Sequence, residues 1–448
     1  MTTTAHPFLH GEFAPVREEI TATELEVTGT LPVELEGRYL RNGPNPVGPV
    51  DQAKHHWFLG NGMVHGIRLR DGRAEWYRNR YVRTADVTDV IGGTPAPSQW
   101  PADHPAFSAN TNVVAHAGRT WAIVEAGSPP VEMSYELDTV QVSSFDGTLP
   151  HAFTAHPKRD PRTGELHAVV YYWGWGNQVQ YLVVDTDGHV RRTVDIPLPG
   201  GPMVHDMSLT ERYAVVYDLP CTFNLEAAMG GESLPYRWDR EYQPRIGLLP
   251  RDGAADDIAW CETDACYVFH PLNAYDLPDG RVVIDVVRHP RMFDLELRGP
   301  NEGPPVLERW IADPNSGRTH ITRLDDRAIE FPRVDERLVG LPHRYGYAAN
   351  IQNGFEQRAI VKYDLEADTS EVRDEGAGFG FGEPVFIPRH DGAAEDDGWV
   401  MALRLDRGAD RSDLVVLDAR DITGAPVATV HLPARVPAGF HGNWCPDA

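Results

Sequence analysis

Short apolar runs, rich in β-branched and aromatic residues and bounded by turn formers, recur along the chain. They are Trp121–Glu125, Leu166–Trp173, Tyr181–Asp185, Tyr213–Leu219, Arg281–Val287, Ala359–Leu365, Trp399–Leu405 and Asp413–Asp418. Each has the length and composition of a strand. Between Tyr181–Asp185 and His189–Ile196 the turn carries Asp187–Gly188, a dipeptide that favours a hairpin. Strand, tight turn and strand, sustained to the C-terminus, predict a sandwich, a barrel or a propeller. No exact repeat counts off propeller blades. No Ser/Gly linker or charge block divides the chain, so one domain over residues 1–448 is expected. Ile91–Pro105, Ser128–Pro130 and Cys221–Pro250 read as irregular, and long loops on a β scaffold are where sites are built.

Composition narrows the function. With 66 acidic against 41 basic residues the formal charge is −25, which argues against nucleic acid as a partner. No apolar run approaches the ~18 residues of a membrane-spanning helix, and the N-terminal MTTTAHPFLHGEFAPVREE lacks the pattern of a signal peptide. Four cysteines without a CxxC pair fit a reduced, cytoplasmic setting.

The candidate chemistry is dispersed. His156, His205, His270 and His441 each sit in a compact mixed motif, but no HxH, HxxxH or HExxH spacing joins any two of them. Taken singly, each reads more readily as a structural or surface histidine than as a ligand. Glu125, Glu330 and Glu383 adjoin apolar stretches, where a buried carboxylate needs a partner such as an imidazole N–H. Competing motifs are weak. GAGFGFG at Gly376–Gly382 opens no helix in a βαβ unit, and neither the Ser128 nor the Ser412 neighbourhood holds a GxSxG elbow.

Taken together, an ordered series of motifs resembles the carotenoid cleavage oxygenase family over nearly the whole chain. The series is GRYLRNGPNP (Gly37–Pro46), HHWFLGNGMVHG (His55–Gly66), ANTNVV (Ala109–Val114), FTAHPKRDP (Phe153–Pro161), MVHDMSLTERYAVVYDLP (Met203–Pro220), VFHPLNAYD (Val268–Asp276), EFPRVDERLVG (Glu330–Gly340), GEPVFIPR (Gly382–Arg389) and GFHGNW (Phe440–Trp444). The resemblance implies a seven-bladed β-propeller with a loop-and-helix cap over its axis. It implies iron(II) held by His156, His205, His270 and His441, with Glu125, Glu330 and Glu383 supporting three of them and His156 finding another acceptor. Thr111 matches a position beside the open coordination site, and Phe269 one that lines a substrate tunnel. The implied reaction uses O2 to cleave one C=C bond, giving two carbonyl products without a reducing cosubstrate.

The family includes polyene cleavers, enzymes of hydroxylated stilbenes and phenylpropenes, and an isomerase. The stilbene branch resembles a pattern with lysine immediately before the first supporting glutamate, and here that position is Val124. A valine offers a phenolate neither charge nor donor. Lysine occurs only at positions 54, 158 and 362. A carotenoid or apocarotenoid is therefore the expected substrate, with a stilbene as the alternative. A lipophilic polyene implies a peripheral visit to a membrane, with Cys221–Met229 a candidate contact. A closed structural metal site or a carboxylate-centred hydrolytic propeller fits the four-His, three-Glu set poorly.

Overall fold

The computed structural model describes residues 6–101, 103–104, 109–352 and 355–447. Residues 1–5 and Pro105, which closes the irregular stretch expected from Ile91, lie outside the described residues. All eight apolar runs fall on strands. Among the described residues the α-helices are short, Ala85–Ile91 and Leu225–Met229. The fold is all-β, built of propeller-like antiparallel sheets.

The chain divides into two compact units. The first comprises Met1–Ile123, Pro130–Ser143 and Arg344–Ala448. One of its sheets runs Thr21–Thr23, Arg73–Tyr81, Gly62–Arg70, Gly37–Pro44, Gly442–Pro446. Another runs Val27–Gly29, Ala428–His431, Arg411–Asp418, Gly398–Asp406, Phe379–Phe381, with Val385–Pro388 also paired to Gly398–Asp406. Early and late strands are thus laced together, Tyr39 opposite Trp444 and Val27 opposite Val430. Tyr39, Ile67, Tyr77, Trp399, Met401, Leu414 and Val430 form one buried core between these strands. A third sheet runs from Asn112–His116 to Thr139–Val142, and Tyr345–Gln352, Glu356–Asp364 and Thr369–Arg373 make a further meander.

The second unit comprises Val124–Pro129 and Ser144–His343. It holds a four-stranded meander, Lys158–Arg159 to Val190–Pro197, and an eight-stranded sheet. The eight strands are two antiparallel quartets, one from Ser208–Leu209 to Ala259–Glu262 and one from Tyr267–Asp276 to Arg318–Arg323. One parallel pairing, Glu262 with Arg318, joins them. The ladders therefore do not count off seven blades directly, because two quartets merge into one sheet.

The hairpin at Asp185–Gly188 forms as the sequence predicts. Asp185 Oδ1 accepts from the Asp187 and His189 amides, and Gly188 takes φ +89°. Cys221–Pro250 is more ordered than its Pro and Gly content suggests. Cys221–Phe223 pairs with Tyr236–Trp238, and Arg245–Pro250 is a core strand with Ile246, Leu248 and Leu249 fully buried.

Candidate metal centre

In the second unit three histidines converge from the openings of edge strands. His156 stands two residues before Lys158–Arg159, and His205 three before Ser208–Leu209. His270 lies inside Tyr267–Asp276, where the register slips between Val268 and Pro271. Pro271 has no amide to give the ladder, which favours the slip at that point. His156 Nε2 lies 3.0 Å from His205 Nε2, and His205 Nε2 lies 3.2 Å from His270 Nε2.

The carboxylates fix what these nitrogens are. His205 Nδ1 donates to Glu125 Oε1 at 2.6 Å, and His270 Nδ1 donates to Glu330 Oε2 at 2.5 Å. A carboxylate only accepts, so the proton of each ring sits on Nδ1 and the neutral ring presents a bare lone pair at Nε2. Two lone pairs facing each other at 3.2 Å repel unless a cation lies between them. Nitrogens about 2.1 Å from one metal ion, at right angles, stand about 3.0 Å apart. The spacing and the donor set therefore fit a metal ion. Burial alone disfavours charge on His205, but the charge of Glu125 and its hydrogen bond outweigh this and raise the imidazole pKa above its usual value. Burial likewise pushes the Glu330 pKa up, yet His270 and His289 together drive it far below the usual carboxylate range.

In the first unit, His441 directly precedes Gly442–Pro446, and its Nδ1 donates to Glu383 Oε1 at 3.0 Å. The Gly442 amide donates to Glu383 Oε2 at 2.7 Å. The His441 amide donates to the Thr111 carbonyl at 3.1 Å, while Thr111 Oγ1 donates to Asn110 Oδ1 at 2.9 Å. His156, His205, His270 and His441 are four buried histidines that could hold a metal ion.

Residues 13–446 match the family described as Retinal pigment epithelial membrane protein. A carotenoid cleavage oxygenase of Mycobacterium tuberculosis is 45% identical, with 98% of each chain covered. A carotenoid 9,10(9',10')-cleavage dioxygenase of Arabidopsis thaliana is 33% identical over 97% of this chain and 89% of its own. The crystal structure of Pseudomonas brassicacearum lignostilbene dioxygenase superposes with a TM-score of 0.89 at 30% identity, covering 98% of each chain. The chain belongs to the carotenoid cleavage oxygenase family. It is accordingly an oxidoreductase of the oxygen-incorporating class.

Some residues around these histidines were not legible in the sequence. His289 Nε2 donates to Glu330 Oε1 at 2.8 Å, and Tyr171 Oη donates to Glu125 Oε1 at 3.1 Å. Burial, reinforced by the charge of Glu125, raises the Tyr171 pKa well above its usual value, so the phenol remains a donor. Asp206, next to His205, is bonded to Lys158 Nζ at 2.8 Å and lies 3.9 Å from His156 Nδ1, beyond hydrogen-bond reach. Phe269 is buried, its ring edge-on to His205 at 5.0 Å and to His289 at 5.1 Å. Val124 is half-buried and directly follows Arg119–Ile123.

Proposed function

We propose that the chain is a non-haem iron(II) dioxygenase that cleaves one C=C bond of a carotenoid or apocarotenoid with O2, giving two aldehyde or ketone products. The observation that carries the metal reading is the pair of carboxylate-fixed imidazoles whose bare Nε2 atoms face each other at 3.2 Å. In this reading His156, His205, His270 and His441 hold iron(II), while Glu125, Glu330 and Glu383 hold the tautomers of three of these rings and return negative charge to a centre of neutral ligands. Iron so held supplies the activation of O2. The protein binds and orients the polyene, with Phe269 in its wall and Thr111 beside the reacting centre, and excludes water.

A polyene is favoured over a stilbene because no lysine precedes Glu125. Elsewhere Lys158 is engaged by Asp206, and Lys362 donates to Asp396 and to the Ala419 carbonyl. The 45% identical relative named for carotenoid cleavage agrees. The likeness to the lignostilbene dioxygenase keeps a hydroxylated stilbene as the second reading.

The fold proposed for this reaction is one domain over 1–448 with seven blades and a loop-and-helix cap. It is supported by seven site residues that each stand at or just before a separate edge strand: Thr111, His156, His205, His270, Glu330, Glu383 and His441. The two quartets of the eight-stranded sheet then count as two blades. No helix among the described residues is long and apolar enough to cross a membrane. A cytoplasmic enzyme that touches membranes peripherally through Leu225 and Met229, 64% and 82% exposed, completes the proposal.

Anaerobic and aerated incubations of the iron-loaded chain with an apocarotenal test the reaction. Two carbonyl fragments that require both O2 and iron are expected. Fragments formed after chelation, or without O2, would contradict it.

A further inference from the structure

The carboxylates around the histidines are not pinned alike. Both oxygens of Glu383 are bonded, to His441 and to the Gly442 amide. Glu125 receives His205 and Tyr171 on Oε1 alone, and its buried Oε2 has no partner among the described residues. Glu330, fully buried, receives the His270 Nδ1 and Phe331 amide donors on Oε2 and His289 on Oε1. Phe331, whose amide makes one of these bonds, takes φ +54°, a conformation that a bulky residue rarely adopts. His289 is itself 1% exposed, stands opposite Tyr267 in the strand pairing, and meets the edge of the Phe269 ring.

We propose that His289 is a positioning residue for the metal centre: by donating from Nε2 to Glu330 Oε1 it locks the plane of that carboxylate, and through it the tautomer and ring direction of His270. The inference rests on the reading that His270 is a ligand. Without the donor on Oε1, Glu330 is held through Oε2 alone, by His270 and the Phe331 amide, and the plane of the carboxylate that orients His270 is less constrained. Phe269, wedged between His289 and His205, then couples the two arms of the site by packing.

Cobalt(II) titration of the metal-free full-length chain, followed by visible absorption, separates the cases. His289→Met, similar in size but lacking a donor, is expected to weaken binding about tenfold and to shift the cobalt absorption bands. His289→Gln keeps an N–H at about the same reach and is expected to stay within about twofold of the parent. A Met variant that binds and absorbs like the parent, or a Gln variant as impaired as Met, overturns the proposal. A parent chain that takes up no cobalt overturns the metal reading instead. If the Met variant does not fold, long-range 1H–15N spectra of the parent decide: His289 protonated at Nε2 is expected, and His289 protonated only at Nδ1 overturns the proposal.

Discussion

His205 and His270 turn their Nε2 atoms toward each other at 3.2 Å, while their Nδ1 atoms are held by Glu125 and Glu330. No neutral arrangement of two such rings is favourable without a cation, since each can only offer a lone pair. The donor set around the rings therefore suits a cation between them.

Removing one arm of this pair is the direct test of the ligand assignment. His270→Ala is expected to lose iron on gel filtration and to lose activity with it. Metal analysis checks this, and an iron-replete, active His270→Ala chain would remove His270 from the ligand set.

Glu330→Gln keeps the shape but removes the negative charge and the guaranteed acceptor. Iron binding is expected to weaken roughly 10–100-fold, as losses of the groups behind a metal ligand usually do. Competition against a chelator of known affinity measures it, and unchanged affinity would mean that Glu330 does not support the centre.

Gly127 shapes the turn that follows Glu125. It sits at φ +108°, and a Cβ there would approach the Tyr172 ring to 2.3 Å. Gly127→Ala is expected to destabilise the chain by about 1–3 kcal/mol, read by denaturant titration, with weaker metal retention as the Glu125 segment shifts. A variant as stable as the parent would show that the turn relaxes freely.

Leu225 and Met229 project from the Leu225–Met229 helix, whereas Cys221 is fully buried and Phe223 stacks on Trp173 at 5.8 Å. With a formal charge of −25, attachment to a lipid surface has to be apolar. Replacing both Leu225 and Met229 by Ser is expected to lower co-sedimentation with neutral liposomes several-fold. Equal sedimentation would take this helix out of the account.

Much of the strand framework was legible because it follows from local pattern: β-branched runs broken by Asp-Gly and Pro turns encode hairpins within a few residues. The histidine-bearing motifs were legible as motifs, and the geometry between His205 and His270 was not, since it depends on how distant edge strands converge. His289 illustrates the limit. It ends an ordinary apolar strand opposite Tyr267, and its bond to Glu330 joins residues 41 apart in the chain. The merging of two quartets into an eight-stranded sheet was equally hidden, because it hinges on the contact of Glu262 with Arg318.

The most direct measurement offers the iron-loaded chain an apocarotenal and a 4-hydroxystilbene together under air and identifies the aldehydes by mass spectrometry. The account predicts polyene-derived aldehydes, whose masses locate the cleaved bond, with the stilbene left intact. Benzaldehyde-type products with the polyene untouched would contradict it and move the chain to stilbene cleavage.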